Sequence, residues 1–206
     1  MADTTISDVF SRNEKMPETS DGERTSPDRE TAFESAGCMF DRLTGLPSFH
    51  LFEDRLQTAL TGELLKDIRM RRFQIAVIGI FIRDLPQTGD EAVQKQILRR
   101  AADMLQQALP KNYTVARGIN YHFWIMVPNI GGSAEIGIET EKIAALLSQP
   151  LIVGSHGYRL AYNIGVSVFD GDAVSQATLV GQAIAALQKA IDSGNDRIVY
   201  FAELVS

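Results

Sequence analysis

The run Phe73–Ile82 is apolar apart from Gln74, rich in Ile and Val, and follows the basic residues Arg69, Arg71 and Arg72. It is too short to cross a bilayer, which takes about 20 residues. It also lacks the two-residue alternation of a strand with one wet face. It therefore reads as a central strand buried on both sides. Such a strand commits the chain to a layered fold, because each face of the sheet needs its own apolar cover.

The rest of the body supplies that cover. Pro47-Ser48 opens a helix with Phe49, Phe52, Leu56, Ala59 and Leu60 on one stripe. Glu91–Leu109 carries Val93, Ile97, Leu98, Ala101, Leu105 and Leu109 at helical spacing, and Pro110 ends it. Tyr113–Arg117 and Tyr121–Val127 read as a hairpin around Gly118-Ile119-Asn120, where Gly and Asn tolerate positive φ. Ser133–Leu147 is a third helix. Leu151–Val153 and Tyr158–Phe169 form a second hairpin across Gly154-Ser155-His156-Gly157. Thr178–Ile191 is a helix closed by Ser193-Gly194, and Arg197–Phe201 is a last strand. The order α-β-α-β-β-α-β-β-α-β predicts an α/β fold with one mixed central sheet flanked by helices, and it excludes a βαβαβ dinucleotide-binding run.

Charge divides the chain. Residues 1–37 hold nine acids and four bases, so they carry −5 of the total −6. They are dominated by Ser, Thr, Asp, Glu and Pro, and they read as a disordered acidic tail, a solvated leader whose short piece Ile6–Phe10 is the alternative candidate for docking on a partner as a nascent helix. The domain proper is expected over 38–206. Its near-neutral balance argues against nucleic acid as a partner. No apolar run is long enough for membrane insertion. With no basic-then-apolar leader and one cysteine, Cys38, the expected location is the cytoplasm.

Most generic sites are absent or weak. His50, His122 and His156 show no metal-ligand spacing. Gly131-Gly132-Ser133 ahead of a helix reads as a turn with Ser133 as N-cap, the alternative being an anion site. Asp170-Gly171-Asp172 reads as a turn after a strand. Thr88-Gly89-Asp90-Glu91-Ala92 reads as a helix start, with Asp90 and Glu91 favouring the positive end of the helix dipole.

One segment is more specific. Asp41-Arg42-Leu43-Thr44-Gly45-Leu46-Pro47 matches the D-x-L-T-G-L-P opening of GGDEF domains, the diguanylate cyclase family. Val115-Ala116-Arg117, then Phe123 and an apolar strand ending in Pro128, resembles the family's V-A-R-x-G-G-D-E-F strand pair. Asn163-Ile164-Gly165-Val166-Ser167 resembles its S-I-G-I-A strand. Ala183–Arg197, with Ala186-Leu187, Ala190 and Gly194, resembles its closing helix and strand. The resemblance runs from about Phe40 to Ala202 and implies a palm-like sheet of the nucleotide-cyclase type.

The resemblance also implies chemistry: two GTP molecules joined into cyclic di-GMP, with Mg²⁺ held by carboxylates. The letters for that chemistry differ here. The G-G-D-E-F slot reads Ile119-Asn120-Tyr121-His122-Phe123, so Tyr121 stands at a metal-carboxylate position and Ile119 at a glycine. The second metal position falls on Phe81 or on Asp84. The Phe81 register needs the smaller deletion before Gly89-Asp90 and is preferred. Asp90 is a weak candidate for a guanine contact. The phosphate-binding Lys and Arg become Ile191 and Asn195, leaving Arg197. The R-x-x-D product-inhibition motif would fall at Pro110–Tyr113 and is missing.

The expectation is a catalytically inactive GGDEF-like module of bacterial cyclic di-GMP signalling, with no catalytic residue, metal or cofactor. Its partner would be a protein, either a second copy or another signalling protein. The alternatives are a weakly active cyclase, or a receptor that holds GTP or cyclic di-GMP without turnover. Tyr121, His122 and Trp124 suggest an interaction surface, and the competing reading makes these aromatics sheet core. Phe81 and Tyr121 are expected on neighbouring strands within a few side-chain widths of each other, with no pair of Asp or Glu residues converging beside them.

Overall fold

The computed structural model describes residues 39–64, 74–83, 91–169, 175–194 and 196–205. The expectations placed on the tail 1–37, Cys38, Asp84, Asp90, Asp170–Asp172 and Asn195 lie outside the described residues. In chain order the elements are α1 (Phe49–Leu64), β1 (Gln74–Ile82), α2 (Glu91–Ala108), β2 (Thr114–Arg117), β3 (His122–Ile130), α3 (Ser133–Leu147), β4 (Leu151–Val153), β5 (His156–Tyr158), β6 (Tyr162–Phe169), α4 (Gln176–Asp192) and β7 (Arg197–Tyr200), closed by a 3₁₀ turn at Phe201–Leu204.

The apolar run is indeed the middle of the sheet. The five strands lie in the order β2-β3-β1-β6-β7, and β1 pairs antiparallel with both β3 and β6. Only β7 is parallel to its neighbour β6. Alternation along β1 sends Ala76, Ile78, Ile80 and Ile82 into a core shared with Ile97, Ala101 and Leu105 of α2 and Ile143 and Leu147 of α3. Val77, Gly79 and Phe81 take the opposite face by the two-residue period of a strand. There the Gly79 Cα lies under Trp124 of β3 and Leu187 of α4. The helices thus cover both faces, as a doubly buried strand requires.

α4 begins two residues earlier than its apolar stripe suggested. The Ser175 hydroxyl accepts from the Thr178 N–H at 3.1 Å and caps the first turn. At its other end Gly194 has φ 115, a conformation that favours glycine.

Two strand expectations need correction. Tyr158–Phe169 is not one strand. β5 turns back on β4 across the tight link Gly154-Ser155, with Gly154 at φ 62, and forms a separate two-stranded sheet. β6 then starts afresh at Tyr162. His156 and Gly157, read as loop, belong to β5. Likewise, β3 does not stop at Val127. It passes through Pro128 by a bulge: Ala76 faces Val127 but Gln74 faces Ile130, so β3 holds one extra residue there. Asn129 takes φ 59 at the bulge. Pro128 has no N–H to offer a ladder, and the bulge is how the strand continues past it.

Candidate functional site

The site suggested by sequence lies at one end of the sheet, where β1 and β2 finish and β3, β6 and β7 begin. Its scaffold starts with the turn at Asp41. One Asp41 carboxylate oxygen accepts from the Thr44 N–H at 2.8 Å and the Thr44 hydroxyl at 2.6 Å, while the Asp41 carbonyl accepts from the Gly45 N–H at 2.8 Å. Gly45 sits at φ 72, and Leu46 is buried. These bonds explain why Asp, Thr and Gly occur at this spacing: the side chain closes the turn and Gly reverses it. The turn delivers Pro47 and Ser48 to β2, where the Pro47 carbonyl accepts from the Arg117 N–H at 2.9 Å.

The β2–β3 hairpin is closed from inside. The Gly118 N–H donates to the His122 carbonyl at 2.9 Å, and the His122 N–H donates to the Ile119 carbonyl at 3.1 Å. Arg117 is 7% exposed, and one of its terminal nitrogens donates to the carbonyls of Gly118 (3.0 Å) and His122 (2.7 Å). Its guanidinium lies 5.0 Å from the Phe123 ring centre. Its Nε has no hydrogen-bond partner among the described residues. Burial pushes the Arg117 pKa down to about 10, with Asp41 and Tyr121 pulling the other way. Asn120 takes φ 49 at the turn, and Ile119 beside it is 52% exposed.

Register decides what faces what. β1 and β3 are neighbours, as expected, but Phe81 is opposite His122 rather than Tyr121. The Phe81 and His122 rings lie 4.7 Å apart at 30°. The Ile82 N–H donates to the Tyr121 carbonyl at 3.0 Å, and Tyr121 packs on the core that contains Ile82. A one-residue offset moves a side chain to the other face of a sheet. Phe81 therefore sits with His122 on one face and Tyr121 beside Ile82 on the other, so the two residues lie on adjacent strands, as expected, but on opposite faces.

The proposed aromatic surface is also corrected. Trp124 and His122 are buried, at 2% and 6% exposure, and Tyr121 is half-buried. Trp124 lies 5.1 Å from the Phe49 ring and 6.2 Å from that of Phe52, so it joins α1 to the sheet. The core reading holds because β3 is an interior strand with helices on both faces.

At the end of α4, the Ile191 carbonyl accepts from an Arg83 terminal nitrogen at 3.0 Å. Fully buried Asn163, opposite Phe81 on β6, donates from Nδ2 to the carbonyls of Ala190 (3.0 Å) and Gly194 (2.6 Å). Asp196 closes the loop before β7 by accepting from the Tyr162 N–H at 3.1 Å. Sequence reasoning missed Arg83 and the clasp made by Asn163. The signal for Asn163 was a carboxamide inside an otherwise apolar strand, which needs internal partners. Arg197 is exposed.

The helix start at Gly131-Gly132-Ser133 differs from expectation. Gly132, at φ 154, is the N-cap, and Ser133 is the first helical residue. The Glu135 carboxylate accepts from the Gly131 N–H at 2.7 Å, so the protein supplies its own anion there. His50 and His156 are exposed. Among the described residues no group of three or more His, Cys, Asp or Glu could hold a metal ion, and no helix is long and apolar enough to cross a membrane.

Known proteins share this architecture. The family model described as diguanylate cyclase, GGDEF domain matches residues 38–197. The bifunctional diguanylate cyclase/cyclic di-GMP phosphodiesterase MucR of Pseudomonas aeruginosa is 24% identical over 164 residues, which are 79% of this chain and 23% of that protein. Among solved structures, the GGDEF domain of YfiN (TpbB) from Pseudomonas aeruginosa matches with a TM-score of 0.70 at 22% identity, over 78% of this chain and 93% of that one. The GGDEF domain of DgcB from Caulobacter crescentus, solved with c-di-GMP, gives 0.69 at 17% identity, over 80% and 96%. Diguanylate cyclase SiaD, solved with its activator SiaC from Pseudomonas aeruginosa, gives 0.65 at 20%, over 84% and 65%. At these identities the likeness to solved structures speaks for the fold, a mixed α/β sheet flanked by helices.

Proposed function

The chain belongs to the diguanylate cyclase (GGDEF) family, and from that membership we propose that it is a catalytically inactive member, a regulatory or protein-interaction module of bacterial cyclic di-GMP signalling. The observation that carries this reading is the hairpin Ile119-Asn120-Tyr121-His122, which offers aromatic and aliphatic groups where the family's chemistry needs carboxylate and glycine. Mg²⁺ takes oxygen ligands in an octahedral set. At the paired ends of β1 and β3 the side chains are Phe81, Ile82, Tyr121 and His122. Those groups do not fit a metal pair.

Magnitudes favour the same reading. One lost electrostatic contact to a transition state costs about 3 kcal/mol, or 10²–10³ in rate. Several such groups differ together here, with Ile191 and Asn195 at the phosphate-binding positions. Even with strong non-additivity, no useful turnover remains. Purified protein given GTP with Mg²⁺ or Mn²⁺ is expected to form no cyclic di-GMP above a protein-free blank. Product that disappears on replacing Asp84 and Asp90 would restore the cyclase reading and the Asp84 register.

The same residues speak against a receptor role. Arg83 is engaged with the Ile191 carbonyl, and no R-x-x-D motif precedes the hairpin. Titration calorimetry is expected to show no binding of GTP or cyclic di-GMP tighter than about 10 μM, equivalent to about −7 kcal/mol. Saturable heat below that concentration would replace the interaction reading with a nucleotide receptor. The partner is proposed to be a protein, either a second copy of the chain or another signalling protein, as SiaC is for SiaD. The acidic segment 1–37 is proposed as a tail and 38–206 as the module. A cytoplasmic location goes with that proposal.

A further inference from the structure

We propose that the groove between α2 and the β4–β5 hairpin is a homotypic docking surface, closed by the same groove of a second copy of the chain across a two-fold axis. The proposal rests on the reading of the chain as an interaction module and narrows that reading to one partner and one face. The groove is open and has a volume of about 810 Å³. One wall is the outer face of α2, where Arg100, Asp103, Met104 and Ala108 recur at the three- and four-residue spacing of a single helix face. The other wall is Pro150 and Ile152, at the start of the hairpin.

The hairpin wall is apolar and faces water. Leu151 and Val153 turn inward to the core, so the two-residue period of β4 turns Ile152 outward, where it is 61% exposed. A Cβ on Gly157, opposite Ile152 on β5, would lie 3.5 Å from the Ile152 Cδ1 and 3.8 Å from the Pro150 Cβ. Pro150, Ile152 and Gly157 therefore form one continuous exposed surface. Apolar surface gathered at the lip of a groove marks an interaction site.

The charges on the helix wall point to the occupant. Of the charged residues on α2, Lys95 pairs with Glu91 at 2.6 Å, and the Arg99 Nε donates to the Leu43 carbonyl at 2.9 Å. The two that remain, Arg100 and Asp103, are exposed and have no hydrogen bond or ion pair among the described residues. A groove for an acidic or a basic partner would show one sign. A cation and an anion three residues apart are instead complementary to the same pair turned end for end, which is what a two-fold axis supplies. With that axis running across the groove, α2 lies antiparallel to the partner's α2. Arg100 then meets the partner's Asp103, Asp103 meets the partner's Arg100, and hairpin faces hairpin with Ile152 between them.

Sedimentation equilibrium on the full chain tests this. Wild type is expected to form a reversible dimer that dissociates at about 10–100 μM, as befits a small transient contact. Arg100→Asp and Asp103→Arg each set like charges against each other twice, and each is expected to weaken the dimer at least about tenfold. Mixed together, the two variants regain both opposite-charge pairs, so the mixture is expected to dimerise as wild type does. Both residues are exposed, and unchanged circular dichroism is expected for each variant. A wild-type chain that stays monomeric throughout that range overturns the proposal and leaves the groove to a different protein. A dimer indifferent to both single variants is built on another face and also overturns it, as does a mixture that fails to pair. None of these outcomes touches the catalytically inactive reading, which the GTP assay decides.

Discussion

Gly165→Ala is expected to leave no stably folded domain. A Cβ on Gly165 would lie 2.1 Å from the Leu187 nitrogen and 2.5 Å from both the Ala183 carbonyl oxygen and the Leu187 Cα. These are main-chain atoms of α4, which cannot swing aside as a side-chain tip can. The helix would have to lift off β6, and with it the buried Leu179, Val180, Ala183, Ala186, Leu187 and Ala190. Ordinary overpacking costs about 1–3 kcal/mol. Displacing a whole helix exceeds that, and a loss above about 5 kcal/mol removes most of the stability of a typical domain. Circular dichroism and thermal melting would read the result. The control is Gly181→Ala on the same helix, where a Cβ meets nothing within 4 Å. Ala is the better helix former by about 1 kcal/mol, so that variant should melt at or above wild type. A Gly165→Ala protein that melts like wild type would show that α4 does not rest on β6 in this register.

Trp124→Ala is expected to destabilise by about 3–5 kcal/mol, the range for removing a large buried aromatic. Trp124 is 2% exposed and packs against Phe49 and Phe52. Its ring also lies close enough to Gly79 and Gly118 that a Cβ on either would come within 3.0 Å and 2.8 Å of it. The cavity would open where α1, β1 and the hairpin meet, so none of the three could close over it alone. Trp124→Phe should recover more than half of the loss by keeping the contact with Phe49. Denaturant midpoints at constant m-value would measure both. A loss below about 1 kcal/mol for the alanine variant would mean that the aromatic cluster is not a packing centre.

The fold was readable because its strongest signals are periodic and local. Phe73–Ile82 carried no polar alternation, and β1 is buried on both faces. The apolar stripe of α2 appears as buried Ile97, Leu98, Ala101 and Leu105. The site was less readable because it depends on cross-strand register. Phe81 and Tyr121 do lie on neighbouring strands, but the sequence does not show that Phe81 is opposite His122, and in a pleated sheet that single-residue offset puts the two side chains on opposite faces. Trp124 fitted both a surface and a core reading by type and is core by position, since residue type does not report whether a helix covers it. Arg83 could not be connected to Ile191 from sequence, because 108 residues separate them. Ser133 had the chemistry of an N-cap, and Gly132 took the role through its φ.

The position of β1 between β3 and β6 also bears on how the chain assembles on the ribosome. β1 acquires its first neighbour when synthesis has passed Ile130, but the partner for its other edge is complete only at Phe169. At about 5–20 residues per second, that edge stays unpaired for roughly 2–8 seconds after β3 has emerged. During that interval the apolar strand β1 presents open main-chain donors and acceptors to its surroundings. Maturation of the nascent domain is therefore paced by the arrival of β6, and the interval before it is when a chaperone would be most useful to this chain.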